Sequence, residues 1–305
     1  MTHSDLYSQI DKNKRETLII FLLFTFLFSL FFYSLGYLFG DPSASYFYLF
    51  LGILISLFSV LYSYYFSDKV ILKISKAKPA QGPQFKMLNN LVENISLVAG
   101  IPKPKVYYIE DSAPNAFATG RNPKHSAVVV TTGLLKKLNR VELEGVIAHE
   151  LAHIKNYDIL VASIVAVLVG SITLVADLLL RSRLNISYNK RVNNKSNSNS
   201  NIFLFIALLA LIISPIIAKI IQLSLSRNRE FLADATGAYF TRYPKGLANA
   251  LLKISQDKEV LEVSNKATAH LYIVNPFKGP MAKRLANLFN THPPIEERVK
   301  RLLSM

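Results

Sequence analysis

His149 and His153 stand four residues apart, and a carboxylate, Glu150, sits beside the first, all inside the apolar run Val146-Ile147-Ala148-His149-Glu150-Leu151-Ala152-His153-Ile154. A helix turns by about 100° per residue, so side chains four apart stand one above the other on a single face. Two imidazoles held that way can bind one metal ion, and the neighbouring carboxylate can serve as a general base. Imidazole nitrogens with a carboxylate at this spacing are the pattern of zinc-dependent hydrolysis. A catalytic zinc keeps three protein ligands and one open position, so a third ligand is required from another element. Glu230 and Asp234 offer it: four apart on a helical pattern, within a turn containing Phe231, Leu232 and Ala233. Two acids on a half-buried face need a cationic partner, which a metal–histidine centre supplies. By spacing alone, the same acids serve equally well as solvated partners of Arg227 or Arg229.

The elements that must position these residues are those of a membrane protein. The chain has 305 residues, 51% hydrophobic and 18% charged, with a mean hydropathy of +0.28. Thr17 to Gly40 and Tyr46 to Ser67 carry no charge, and each exceeds the roughly 20 residues a helix needs to cross a bilayer core. They predict a first transmembrane hairpin over 17–67, preceded by a basic cytoplasmic N-terminus, 1–16. A signal peptide is disfavoured: the first apolar run is too long for an h-region, and a second follows at once. Ile159 to Leu180 and Ile202 to Leu225 predict a second hairpin over 158–225, spanning or embedded, with a polar loop at 181–201 whose Asn/Ser-rich end reads as flexible. The soluble domain, with the candidate zinc site, then comes in two parts, 68–157 and 226–305. In the first, helical spacing from Phe85 to Val98 precedes short strands at Val106–Ile109 and Ala127–Thr131, and Asn139 with Glu142 predicts the cap of the His-Glu-x-x-His helix. The expected fold is mainly α: an α+β zincin-like domain with a small sheet, plus about four transmembrane helices.

The net charge of +15 and pI near 9.8 are read as basic flanks of membrane spans, since Lys69, Lys73, Lys76 and Lys78 follow the second apolar run,. No aromatic–basic interleaving marks a nucleic-acid groove, so nucleic acid is not an expected partner. There is no cysteine, which excludes disulfides and thiolate ligands,. The positive-inside rule places residues 1–16 and the region after the hairpin in the cytoplasm.

Several motifs recur in order over nearly the whole chain: Tyr7 and Lys12-Asn13-Lys14-Arg15 ahead of a span; Pro114-Asn115-Ala116-Phe117-Ala118-Thr119-Gly120; His149-Glu150-Leu151-Ala152-His153; Ser226-Arg227, Glu230 and Ala233-Asp234; Thr291-His292-Pro293-Pro294 with Glu296-Glu297-Arg298. In this combination the sequence resembles the HtpX-type membrane-bound zinc metalloproteases, gluzincins related to the prenyl-protein-processing membrane proteases. The resemblance implies Glu230 as third zinc ligand and Asp234 as the acceptor that fixes a ligand histidine, with one zinc per subunit. It also places the Thr291–Pro294 motif near the active site, where His292, ahead of a Pro-Pro turn, is the candidate donor to the developing oxyanion and Arg298 the alternative or a brace. Asn115 and Ala116 read as part of an edge strand that pairs with an extended substrate, a part the Asn-Ala-Phe run plays in the relatives. Glu150 is the expected base toward the attacking water.

The expected function is a multi-pass plasma-membrane zinc endopeptidase acting on polypeptides at the cytoplasmic face. By resemblance its substrates are misfolded or damaged membrane proteins, in quality control and stress response. The alternatives are a zinc-binding scaffold without turnover, which would have no need of Glu150, and a prenyl-peptide-processing protease, for which more spans would be expected. Oligomeric state, cleavage preference and self-cleavage in the 185–201 loop are left open.

Overall fold

The computed structural model describes residues 3–39, 42–168, 170, 227–262, 268–274 and 293–305. Two long helices open the chain, α1 (His3–Phe39) and α2 (Pro42–Ile74). They contain the stretches Ile10–Ser34 and Ser43–Ile74, each long and apolar enough to cross a membrane. Leu22, Phe26, Phe50 and Phe58 are exposed along them, an apolar belt that lipid covers at no cost. The two helices approach closely at Gly36, where an added Cβ would lie 2.7 Å from the Cα of Ser45. Without a hydrophobic driving force between helices in lipid, such small-residue contacts are what hold a hairpin together.

The soluble part begins with the two-residue strand β1 (Lys78–Pro79), followed by α3 (Lys86–Ala99) and strands β2 (Lys105–Ile109), β3 (Ala116–Asn122) and β4 (His125–Thr131). The sheet order is β1-β2-β4-β3, with β2 and β4 parallel and β3 antiparallel to β4. β3 is therefore an edge. A short helix α4 (Thr132–Lys137) leads to α5 (Arg140–Lys155), which carries the two histidines. α5 starts where the sequence predicts: Glu142 N donates to Asn139 Oδ1 and Asn139 N to Glu142 Oε2, each at 2.9 Å. Such a reciprocal cap contributes about 1 kcal/mol.

α5 is buried along nearly its whole length and is the centre of the domain core. The sheet and α3 cover one side; α7 (Arg227–Thr241) and α8 (Pro244–Gln256) cover the other. A helix enclosed on all sides has no polar face to keep, so its apolar residues form no single stripe. The terminal helix α9 (Ile295–Leu303) packs on α7 and α8.

At Asn156–Tyr157 the chain breaks, with Tyr157 at φ +62°, and continues as a helix, α6, over Asp158–Leu168, bent 83° from α5. Leu160, Val161, Ile164, Val165 and Leu168 of α6 pack on Ile20, Phe24 and Val60 of the membrane hairpin. The remainder of the expected second hairpin lies outside the described residues. Among those residues, two helices qualify as spans, or three if the bent α5–α6 pair is one. The protein is mostly helical with a small mixed sheet.

Candidate metal centre and active site

The burial of α5 brings its face at His149 and His153 against α7. The two helices touch at backbone distance: a Cβ on Gly237 would lie 2.9 Å from the amide nitrogen of His149. Only glycine permits that approach, and the approach carries Glu230, two turns earlier on α7, over the histidines. His149 Nε2 and His153 Nε2 converge to 3.2 Å. Glu230 Oε2 lies 3.7 Å from the first and Oε1 3.6 Å from the second. Four-coordinate zinc with ligand bonds of about 2.0–2.1 Å separates its ligand atoms by roughly 3.3 Å, and the separations here bracket that value. Two imidazole nitrogens facing one another with a carboxylate as third corner fit a metal ion and little else. Among the described residues these three side chains form a group able to hold one.

Each histidine turns Nε2 toward the centre and its other nitrogen toward a carboxylate. His149 Nδ1 lies 3.0 Å from Asp234 Oδ1. His153 Nδ1 lies 2.9 Å from Asp158 Oδ2. Sequence reasoning missed Asp158; the available signal was an acid just past the end of a ligand-bearing helix. A carboxylate behind a ligand histidine fixes its tautomer and raises its basicity.

The electrostatics follow from burial. Burial pushes the His149 imidazole down to about 4, against the pull of Asp234, so this ring is neutral and has its lone pair available at pH 7. For His153, burial again favours the neutral ring but is outweighed by the Asp158 hydrogen bond and the charge of Glu230, which raise it to about 9. Metal binding at such a site displaces a proton. Burial raises the Glu150 carboxyl to about 7, while His153 and Arg298 act in the other direction. The Glu150 carboxyl also takes a hydrogen bond from the Ala118 backbone of β3, which fixes it between the metal corner and the sheet edge.

Arg298 lies beneath this group with no exposed surface. Its Nε donates to Asp234 Oδ2 at 2.8 Å and its Nη2 to Asp234 Oδ1 at 2.7 Å. Nη1 lies 3.4 Å from Glu230 Oε2 and donates to the Ile273 carbonyl at 3.3 Å. Burial alone would lower its pKa, but the neighbouring carboxylates, Asp234 first, outweigh burial and raise it. The guanidinium is thus engaged by two carboxylates and a backbone carbonyl. His292 lies outside the described residues.

Asn115 and Ala116 begin the β3 edge, and that position is filled by the chain itself. Ile273 N donates to the Ala116 carbonyl at 3.0 Å, and Asn115 Nδ2 to the Val274 carbonyl at 3.0 Å. At the other end of the strand the Gly120 amide donates to Ser163 Oγ of α6 at 3.2 Å. Between them, Ala118 faces Glu150.

Residues 83–305 match the family model for peptidase family M48. Among curated relatives, "Protease HtpX homolog" of Thermoanaerobacter pseudethanolicus is 47% identical over 310 residues, covering 100% of this chain and 99% of that protein. The proteins of that name from Dictyoglomus thermophilum and Lactobacillus acidophilus are 45% and 41% identical, covering 98% of this chain and 94% and 100% of theirs. The crystal structure of S. mikatae Ste24p aligns over 97% of this chain and 67% of its own at 17% identity, with a TM-score of 0.47. With a triad able to hold a metal, a buried carboxylate beside it and an apolar helical hairpin in one chain that matches the curated HtpX homologs over nearly their whole length, the chain belongs to peptidase family M48 and is a membrane metalloprotease.

Proposed function

We propose that the protein is a zinc-dependent endopeptidase that cuts extended segments of membrane proteins at the cytoplasmic face of the plasma membrane. The observation that carries this reading is the convergence of His149 Nε2, His153 Nε2 and Glu230 to the edge lengths of a tetrahedral zinc site, with Glu150 alongside. When bound there, zinc supplies Lewis acidity toward a carbonyl and an acidified water. Glu150, held beside the triad, takes a proton from the attacking water and delivers it to the leaving amine. Asp234 and Asp158 hold the imidazoles in the Nε2-presenting tautomer, and Arg298 holds Asp234. His292 remains the proposed donor to the oxyanion.

Backbone pairing with β3 suits a protease of low sequence preference, because main-chain hydrogen bonds are the same for every residue. The proposed substrate segment runs beside Ala118, next to Glu150, extending or replacing the pairing that residues 273–274 make with Asn115 and Ala116. A substrate that reaches this edge has to be unfolded locally, which supports a role on misfolded or damaged membrane proteins in quality control. The polar turn of α1, basic on both sides of Asn13, supports a cytoplasmic site at the membrane surface.

Chelation followed by reconstitution tests this reading. The stripped protein in detergent is expected to stop cleaving an unfolded reporter such as casein and to recover with one equivalent of zinc. Glu230→Ala is expected to lose both metal and cleavage. Cleavage that survives complete removal of metal contradicts the reading.

A further inference from the structure

The two ligand histidines are steadied by carboxylates of different origin. Asp234 sits inside α7 and is clamped by Arg298 through both oxygens. Asp158 sits beyond the break at Asn156–Tyr157, as the first residue of α6. A carboxylate at a hinge between two helices needs an outside contact to hold its direction. That contact comes from the first membrane helix. Asn13 Nδ2 donates to Asp158 Oδ1 at 2.7 Å and to the Asn156 carbonyl at 2.8 Å, so one amide of α1 bridges the hinge and leaves Asp158 Oδ2 to face His153. Asn13 has no exposed surface. One turn on, Glu16 pairs with Arg229, which precedes the metal-site Glu230, and Arg229 Nε lies 3.9 Å from Asp158 Oδ1. Lys14 lies over the Tyr157 ring, 5.5 Å from its centroid.

We propose that Asn13, on the first membrane helix, is a positioning residue of the metal centre: it aims Asp158 at His153 Nδ1, so that His153 presents Nε2 to the metal. The inference rests on the metalloprotease reading of the triad. Its consequence is that the region matching the family model, 83–305, does not hold a complete metal centre, and that α1 is part of the active site as well as an anchor. A polar amide at the end of an apolar helix costs stability unless it is bonded, and here its donor is spent wholly on the hinge.

The test uses the full chain in detergent, with zinc affinity from chelator competition and the visible absorption of the cobalt(II)-substituted protein, neither of which needs turnover. Asn13→Leu, which keeps the branching and suits a membrane helix, and Asp158→Asn, which keeps the shape, are each expected to weaken zinc binding about 10- to 100-fold and to alter the cobalt band. In the Asp158→Asn background, Asn13→Leu is expected to cost about twofold or less further, because both act through one contact. A merely structural asparagine would lower the melting temperature of the metal-free protein and leave the affinity and the cobalt band of the folded protein unchanged. That result, or an equal loss from Asn13→Leu in both backgrounds, overturns the inference. Should Asn13→Leu fail to fold, the smaller Asn13→Ala takes its place: a 10-fold or greater loss of zinc affinity sustains the inference and wild-type affinity overturns it. Failure of the metalloprotease reading shows differently, as a wild type that takes up neither zinc nor cobalt.

Discussion

Arg298 is fully buried against Asp234 and within reach of Glu230. Two carboxylates in a dry pocket repel, and each loses hydration; the guanidinium offsets both effects through a planar, two-toothed contact. Arg298→Ala is therefore expected to destabilise the protein by about 3–5 kcal/mol, the range for leaving a buried ion-pair partner uncompensated, as read by denaturant unfolding in micelles. Arg298→Lys keeps the charge but not the fork and is expected to recover only part of the loss. Equal stability of Arg298→Ala and the wild type would show that the carboxylates need no partner. The convergence of the two histidines was legible in the sequence because one turn of helix fixes their relation: four-residue spacing settles which face His149 and His153 share. Asp158 and Asn13 were not, since their meeting depends on a hinge and on a helix 145 residues away. The burial of Arg298 against Asp234 was not legible either, because no spacing reports it.

At the level of elements, the metal centre is a crossing of two helices, and the crossing distance is set by Gly237. Gly237→Ala places a methyl against the α5 backbone at His149, so α7 has to move outward. Overpacking of this kind typically costs about 1–3 kcal/mol, and Glu230 moves with α7. We expect zinc affinity to fall at least tenfold while the protein still folds, measured by chelator competition beside a thermal melt. Unchanged affinity would mean that the helices are free to adjust without disturbing the ligands. The helix α5 was legible at its start, because Asn139 and Glu142 can each satisfy the other's backbone amide. The strands β2 and β4 were legible from β-branched and aromatic runs bounded by turn residues. The two-residue strand β1 and the pairing of Ile273 with Ala116 were not. Neither leaves a periodic pattern, since a strand that short is defined by its partner alone.

For the whole molecule, hydropathy located the first two spans because bilayer thickness imposes a length on any apolar helix. It did not reveal that α1 starts as early as His3 or that α6 folds back onto the hairpin at 83° to α5. Those features come from tertiary contacts between the polar turn of α1, the hinge and the apolar face of α6. The chain has no cysteine, so single reporters can map its orientation. Ser43→Cys, at the turn of the hairpin, is expected to react with a membrane-impermeant thiol reagent from outside intact cells. Lys124→Cys, exposed in the β3–β4 turn, is expected to react only after permeabilisation. The reverse pattern would place the active site outside.

The central claim is that a metal held by His149, His153 and Glu230 and a base at Glu150 together cleave peptide bonds. Its most direct test compares the wild type with Glu150→Gln, measuring bound metal and cleavage of an unfolded reporter on the same samples. Glutamine keeps the size of the side chain and removes the proton acceptor. Both proteins are expected to hold about one zinc, with kcat/KM of the variant lower by about 100- to 10,000-fold. A Glu150→Gln protein that binds zinc and cuts as fast as the wild type would contradict the account.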